Sequence, residues 1–187
     1  MPVLPFRPPH VLTALLAMAL LVSGAAQGWA GGRAKAGAPG AYFVEFRALG
    51  NTISGHTMVL TGYRTRSGVV RYTSRNGFFA HGGPFVLLGG IAAPGKVGFR
   101  KGMDENRAIK VRFRAPVTSA AYRRVRAHIA RQRRNPGAFS LLFRNCNDFA
   151  AAVAGAAGLR VPDSRLRSAA SFVRALRRMN SRKRRAR

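Results

Sequence analysis

Apolar and polar side chains alternate along two stretches of the chain, which is the pattern of a β-strand with one buried face. In residues 42–47 the apolar positions 42, 44 and 46 alternate with Phe43, Glu45 and Arg47, and in residues 109–114 the polar positions are Lys110, Arg112 and Arg114. The period of two predicts a strand in each stretch, the second with one fully cationic face. Short apolar runs at residues 57–61 and 69–72 predict two more strands, which form a meander with the first.

Glycine and proline interrupt the pattern between residues 78 and 102, where seven glycines and two prolines occur. These residues disfavour long regular elements, so a long loop with short extended pieces is predicted there. Long loops inside compact domains often carry function.

Helical periodicity begins at Ser119, a residue type that favours helix N-caps. Tyr122, Val125 and Ile129 share one face of the predicted helix, which runs to about Arg134 and is stopped by the sequence Asn-Pro-Gly at residues 135–137. Six arginines are distributed around this face. This predicts a helix with an apolar inner face and a cationic outer face.

A second helix is predicted to start at the single cysteine of the chain. Asn145 is a favoured N-cap residue, and Asp148 follows at the spacing of a capping box. The Ala-rich stretch after it ends at Gly158, so Cys146 lies in the first turn of a buried helix. A last helix is predicted to be capped by Asp163 or Ser164, with an inward stripe formed by Leu166, Ala169, Ala170, Val173 and Leu176.

These elements predict one α+β domain, a small antiparallel β-sheet packed against helices, over residues 41–179. Residues 31–40 are Gly/Ala-rich and predict a flexible lead-in. Residues 180–187 contain no apolar side chain except Ala186 and predict a disordered basic tail.

The first 30 residues have the pattern of a secretory signal peptide. An uncharged apolar run covers residues 11–22, and small residues suited to cleavage follow it. Twelve residues are fewer than the roughly 20 that a spanning helix needs. An uncleaved membrane anchor stays the alternative, and both interpretations predict an exported protein that is periplasmic or extracellular.

Charge sets the expected partners. The chain of 187 residues has 33 Lys and Arg against 5 Asp and Glu, a net charge of +28, yet hydrophobic residues make up 47% of it. The hydrophobic share excludes a disordered polycation. With export, the charge favours an anionic envelope surface as the partner, either lipid headgroups or a cell-wall polymer. Nucleic acid is the alternative partner, but no sequence-specific nucleic-acid motif occurs.

One cysteine excludes an internal disulfide framework, and four scattered histidines exclude a zinc-ribbon spacing, so no metal and no cofactor are expected. A helix N-terminus favours the thiolate form of Cys146. His56, at the entry to the strand at residues 57–61, is a candidate base for it. The alternatives are an inert, buried thiol and a structural histidine at a strand end.

The motifs Gly55-His56-Thr57 and Asn145-Cys146-Asn147-Asp148-Phe149 resemble those of the circularly permuted papain-like thiol hydrolases. This group includes NlpC-related, PPPDE-type and lecithin:retinol acyltransferase-like enzymes. The resemblance covers residues 42–158 and implies a permuted papain-like fold with Cys146 as nucleophile and His56 as base. Family members often carry His where this chain has Asp148. In this chain, Asp148 and Asn145 together are expected to support the helix cap and the site. A third polar residue that orients the base is usual in the group, and Tyr72, Thr73, Asn76 and His81 all stay open for that role.

Two functions are therefore expected. The first is an exported cysteine-dependent acyl hydrolase or transferase that acts on an amide, ester or thioester at the cell envelope. The second is a noncatalytic cationic module that binds anionic envelope lipids or polymers.

Overall fold

The computed structural model describes residues 39–50, 55–82 and 92–181. They form an α+β unit in which a six-stranded antiparallel sheet packs against three helices. The strands are β1 (Pro39–Leu49), β2 (His56–Thr65), β3 (Val70–Ala80), β4 (Ala93–Gly98), β5 (Ile109–Val117) and β6 (Ala138–Phe139). The helices are α1 (Ser119–Arg134), α2 (Cys146–Ala156) and α3 (Ala169–Ser181). The predicted α+β class with an antiparallel sheet is confirmed.

The sheet order is β5-β1-β2-β3-β4-β6, so β5 joins the outer edge of the predicted meander beside β1. Register places Phe46 of β1 between Val59 of β2 and Phe113 of β5. All three side chains belong to the main core, to which α1, α2 and α3 contribute. We call this side of the sheet the helix face.

The opposite side of the sheet carries Phe43, Glu45, Arg47 and Leu49 of β1, because successive side chains of a strand point to opposite faces. A small second apolar cluster lies here, formed by Leu49, Met58 and Leu60 with Phe99 packed against it. None of the three helices contributes to this cluster. We call this side the arginine face.

Several predicted boundaries are corrected. Pro39 and Gly40, which the predicted flexible lead-in includes, belong to β1, where Pro39 pairs with Thr65, while residues 31–38 lie outside the described residues. The side chain of Thr118, not Ser119, caps α1 by accepting a hydrogen bond from the Ala121 amide. Both residue types cap helices well, and Thr118 is the one with the extended backbone that a cap requires.

The prediction for the last helix is wrong at its start. Helix α3 begins at Ala169, where the Ser168 hydroxyl accepts a hydrogen bond from the Ser171 amide. Leu166 therefore lies outside the helix, is 90% exposed and has a φ of 51°. The rest of the predicted stripe is correct, since Ala169, Val173 and Leu176 are buried.

The predicted disordered tail begins too early. Asn180 belongs to α3, and its side chain exchanges two hydrogen bonds with the backbone of Arg160. The glycine-rich stretch contains short extended pieces, as predicted, in the end of β3 and in β4, and its residues 83–91 lie outside the described residues. The predicted signal peptide at residues 1–30 and the rest of the basic tail, residues 182–187, lie outside the described residues.

Candidate functional site

Helix α2 begins as the sequence predicts. The Asn145 side chain accepts a hydrogen bond from the Asn147 amide at 2.8 Å, and Asp148 Oδ2 accepts one from the Asn145 amide at 2.8 Å, which completes a capping box. Gly158, with a φ of 77°, lies just after its last turn. Cys146 is the first residue of the helix and is partly exposed.

The surroundings of the Cys146 thiol favour its protonated form. Burial raises the pKa of the thiol, and hydrogen bonds from Thr57 and from the first amides of α2 only partly oppose this rise. The helix N-terminus therefore does not produce a thiolate at neutral pH. A thiol with a raised pKa is a poor nucleophile, because the thiolate is the reactive form.

Thr57 connects this end of α2 to the helix face of the sheet. Its hydroxyl donates a hydrogen bond to Asn147 Oδ1 at 2.6 Å, and Asn147 Nδ2 donates to the carbonyl of Arg167 at 2.8 Å. Thr57 is opposite Ala48, a member of the main core. The residue of β2 that faces Cys146 is thus Thr57, the neighbour of His56 in the chain.

His56 is the first residue of β2, one residue before the predicted start of that strand, and its side chain lies on the arginine face. It is opposite Leu49 in the register, and a Cβ atom added to Gly77 would overlap His56 Nε2. The residue is 5% exposed, and Nε2 has no hydrogen-bond partner within residues 39–50, 55–82 and 92–181. The pKa of His56 is lowered to about 4, mainly by burial and also by the charges of Arg100 and Arg107, against the opposing charge of Asp104.

The structure does not bring His56 and Cys146 together. One side chain packs over Gly77 on the arginine face, and the other contacts Thr57 on the helix face. A general base must be within hydrogen-bond reach of the nucleophile, either directly or through one water. This geometry does not form a Cys–His pair, so thiol catalysis stays a prediction.

The four candidates for a third catalytic residue are dispersed. The Tyr72 hydroxyl contacts Glu45, and the Thr73 hydroxyl bonds that of Tyr122 at 2.6 Å. Asn76 is buried on β3, where its Oδ1 finds no partner in the described part of the chain, and His81 is exposed. No hydrogen bond among them reaches His56 or Cys146 in the part of the chain that the structure describes.

The arginine face contains an interaction that the sequence analysis missed. Glu45 is fully buried and forms ion pairs with Arg47 Nε at 2.5 Å, Arg114 Nε at 2.6 Å and Arg112 Nε at 3.4 Å. Tyr72 Oη also lies 3.2 Å from this carboxylate. Burial raises the pKa of Glu45, but the hydrogen bonds and charges of Arg47 and Arg114 outweigh it and hold the pKa below its usual value.

The alternation in residues 42–47 concealed Glu45, since it predicts that every second side chain faces water. The signal that could have found it is the set of apolar residues on the same side of β1, Phe43 and Leu49, which mark a second buried face. One carboxylate holds three guanidinium groups here and leaves the cluster with an excess of positive charge.

Helix α1 presents the largest set of exposed arginines on one element. Tyr122, Val125 and Ile129 are buried against the core, as predicted, and no Asp or Glu occurs anywhere in the helix. The outer positions are occupied by exposed Arg123, Arg124, Arg126, Arg131, Arg133 and Arg134. The inward apolar face therefore fixes the direction of the cationic one.

A cleft of about 630 Å³ lies beside the edge strand β5, next to the end of α3. Four arginines line it, Arg112, Arg114, Arg160 and Arg177, together with apolar side chains and no acidic residue. Guanidinium groups bind anions, but two of these four, Arg112 and Arg114, already pair with Glu45.

Neither a metal site nor a membrane-spanning helix occurs among the described residues. In residues 39–50, 55–82 and 92–181, no group of three or more His, Cys, Asp and Glu side chains is placed to hold a metal ion. Within the same ranges, no helix has both the length and the apolar character needed to cross a membrane. Comparison with protein-family models, with curated proteins and with solved structures gives no match for this chain.

Proposed function

We propose that this chain is an exported, noncatalytic module that binds anionic groups of the cell envelope through the arginines of α1. The observation that carries this proposal is the outer face of α1, where six arginines are exposed and no acid occurs. Each cation held near an anionic membrane contributes about 1 kcal/mol to binding. Six of them on one helix are sufficient for firm attachment.

Charge elsewhere in the molecule supports the same partner class. The five acidic residues of the chain cannot neutralise 33 bases. Three of those acids, Glu45, Asp104 and Glu105, already form ion pairs with arginines, while Asp148 belongs to the α2 cap and Asp163 bonds the Arg165 amide. The remaining positive charge is available to an external anion.

In this proposal the chain shares the fold of the permuted papain-like thiol hydrolases, which it resembles, but not their catalysis. A Cys-bearing helix packed on an antiparallel sheet supports that fold relation. The separation of His56 from Cys146 and the raised pKa of the thiol support a module that retains the scaffold without the chemistry. An exported thiol hydrolase is the competing prediction, and it requires Cys146.

Sedimentation with vesicles tests the proposal. The full chain is expected to bind phosphatidylglycerol vesicles strongly and phosphatidylcholine vesicles weakly. Binding to the anionic vesicles should weaken steeply between low and physiological salt, because salt screens exposed charges over a Debye length of about 8 Å at 0.15 M. Cys146→Ala should bind with unchanged affinity.

Equal binding to both vesicle types, or binding that does not depend on salt, contradicts a cationic module that binds anionic headgroups. A loss of binding in Cys146→Ala, without unfolding, contradicts the independence from the thiol. A soluble anionic polymer such as polyglutamate, offered in place of vesicles, separates recognition of a polymer from recognition of a lipid surface.

A further inference from the structure

Four large apolar side chains project into solvent from two turns. Leu141, Leu142 and Phe143 are 63%, 61% and 75% exposed, and Leu166 is 90% exposed. Exposed single leucines are common on protein surfaces, but three consecutive large apolar residues at one turn are not. We call these four residues the apolar tip.

Both turns are attached to the first turn of α2. Asn145 Nδ2 donates a hydrogen bond to the Leu141 carbonyl at 2.9 Å, which holds the turn that carries residues 141–143. Asp148 accepts a hydrogen bond from the Ser164 hydroxyl, and Asn147 donates one to the Arg167 carbonyl. Together these two bonds hold the turn that carries Leu166. The four apolar residues therefore lie at the same end of the molecule.

The fold holds these side chains outward. Ser140 and Arg144 exchange two backbone hydrogen bonds, at 2.8 and 3.1 Å, and so close the turn that carries residues 141–143. Leu166 has a left-handed backbone with a φ of 51°, a conformation that a bulky residue rarely adopts. Packing within the molecule does not explain this backbone conformation, because the Leu166 side chain is 90% exposed and contacts no core.

Arginines surround the apolar tip. The Arg144 side chain bonds Gln132 Oε1 near the end of α1, while Arg124 near its start contacts the Ala156 carbonyl at the end of α2. Helices α1 and α2 are therefore antiparallel, and the last turn of α1 lies at the tip. Its exposed arginines are Arg131, Arg133 and Arg134, and exposed Arg165 and Arg167 flank Leu166.

We propose that the apolar tip inserts into the headgroup and acyl boundary of an anionic phospholipid bilayer, with the surrounding arginines on the headgroups. This inference rests on the proposed function and narrows its partner to a lipid surface. Apolar anchors ringed by cations are the pattern of interfacial membrane binding. An acidic polymer would satisfy the arginines but leave Leu141, Leu142, Phe143 and Leu166 in water.

Depth-dependent quenching tests the inference. In the full chain with Trp29→Phe, which removes its single tryptophan, Phe143→Trp places a reporter on the apolar tip. Val69→Trp is the matched control, because Val69 is 47% exposed in the turn between β2 and β3. Phosphatidylglycerol vesicles with brominated acyl chains should quench Phe143→Trp about twofold or more and leave Val69→Trp unchanged.

A second pair of variants measures the contribution to affinity. Replacing Leu142 and Phe143 together by Ser should weaken binding to phosphatidylglycerol vesicles about a hundredfold, while binding to polyglutamate stays the same. Val69→Ser is expected to bind vesicles as the wild type does.

The outcomes separate this inference from the proposed function. Vesicle binding without selective quenching of Phe143→Trp overturns insertion and leaves the cationic module intact. Absence of vesicle binding in every variant overturns both. A fluorescence change of Phe143→Trp that depends on protein concentration and needs no lipid overturns insertion in favour of contact between copies of the chain.

Discussion

His56 is a buried base whose Nε2 has no partner among the described residues, and its position is expected to make folding depend on pH. Because the folded-state pKa is lowered to about 4 from 6.5, the unfolded chain binds a proton at this residue at a pH where the folded chain does not. Above pH 6.5 the residue is neutral in both states and no stability is lost. Between pH 6.5 and 4 protonation favours the unfolded chain.

The free energy of unfolding is therefore expected to fall by about 3 kcal/mol as pH falls from 6.5 to 4. Urea unfolding followed by circular dichroism at several pH values measures this fall. His56→Gln should show a much shallower dependence, and His81→Gln, at an exposed position, should retain the wild-type one. An unchanged slope in His56→Gln contradicts the buried, neutral histidine.

Cys146 and Glu45 show how neighbouring charges decide the outcome when two acidic groups are buried. Burial raises the pKa of the thiol and would raise that of Glu45, but arginines contact only the carboxylate. Glu45 is therefore charged and Cys146 protonated at neutral pH. Residue type and position in the sequence, without the neighbours in space, suggest instead that Cys146 is the ionised, reactive group.

Strand β3 approaches His56 so closely that its glycine is required. A Cβ atom at Gly77 would overlap the imidazole, whereas Gly98, its partner in β4, has no atom within 4 Å of such a Cβ. Gly77→Ala is expected to destabilise the protein by about 1–3 kcal/mol through this overlap, and Gly98→Ala to be close to neutral.

Thermal unfolding of both variants measures the difference. His56→Ala combined with Gly77→Ala should cost less than the sum of the two single changes, since the shorter side chain removes the overlap. Equal destabilisation by Gly77→Ala and Gly98→Ala would show that the imidazole does not pack over β3.

At the scale of the elements, local signals in the sequence predict those that depend on local contacts. The cap of α2 follows from Asn145 and Asp148, and the inner face of α1 follows from Tyr122, Val125 and Ile129, because these patterns need no knowledge of the sheet. Leu166 fits the helical spacing of α3, so spacing predicts a longer helix than the structure has. The hydroxyl of Ser168 caps the helix two residues later, and spacing alone does not reveal that.

The relation between His56 and Cys146 could not be predicted for a different reason. In β2 both alternating sets contain apolar residues, Met58 and Leu60 in one and Val59 in the other, so the pattern does not identify the face that meets the helices. A shift of one residue moves a side chain to the opposite face. Thr57 instead of His56 therefore faces α2. The motif Gly55-His56-Thr57 is the same in either case, so it could not reveal this.

At the scale of the whole molecule, positive charge is distributed over distinct surfaces. Arg47, Arg112 and Arg114 are held by Glu45 on the arginine face, while the arginines of α1 point outward on the other side of the sheet. If total charge alone determined attachment, any exposed arginine would contribute equally. We assign attachment to α1 and to the end of the molecule where the apolar tip lies.

The measurement that tests this assignment compares two triple variants with the same change in charge. One replaces Arg123, Arg126 and Arg133 of α1 by Gln, and the other replaces Arg64, Arg66 and Arg71, which are exposed around the turn between β2 and β3. Affinity for phosphatidylglycerol vesicles is measured for both at physiological salt, after circular dichroism has confirmed that each is folded. The α1 variant should bind about a hundredfold more weakly than the wild type, since each cation contributes about 1 kcal/mol, and the other variant should lose only a few-fold. Equal loss in the two variants would contradict attachment through α1.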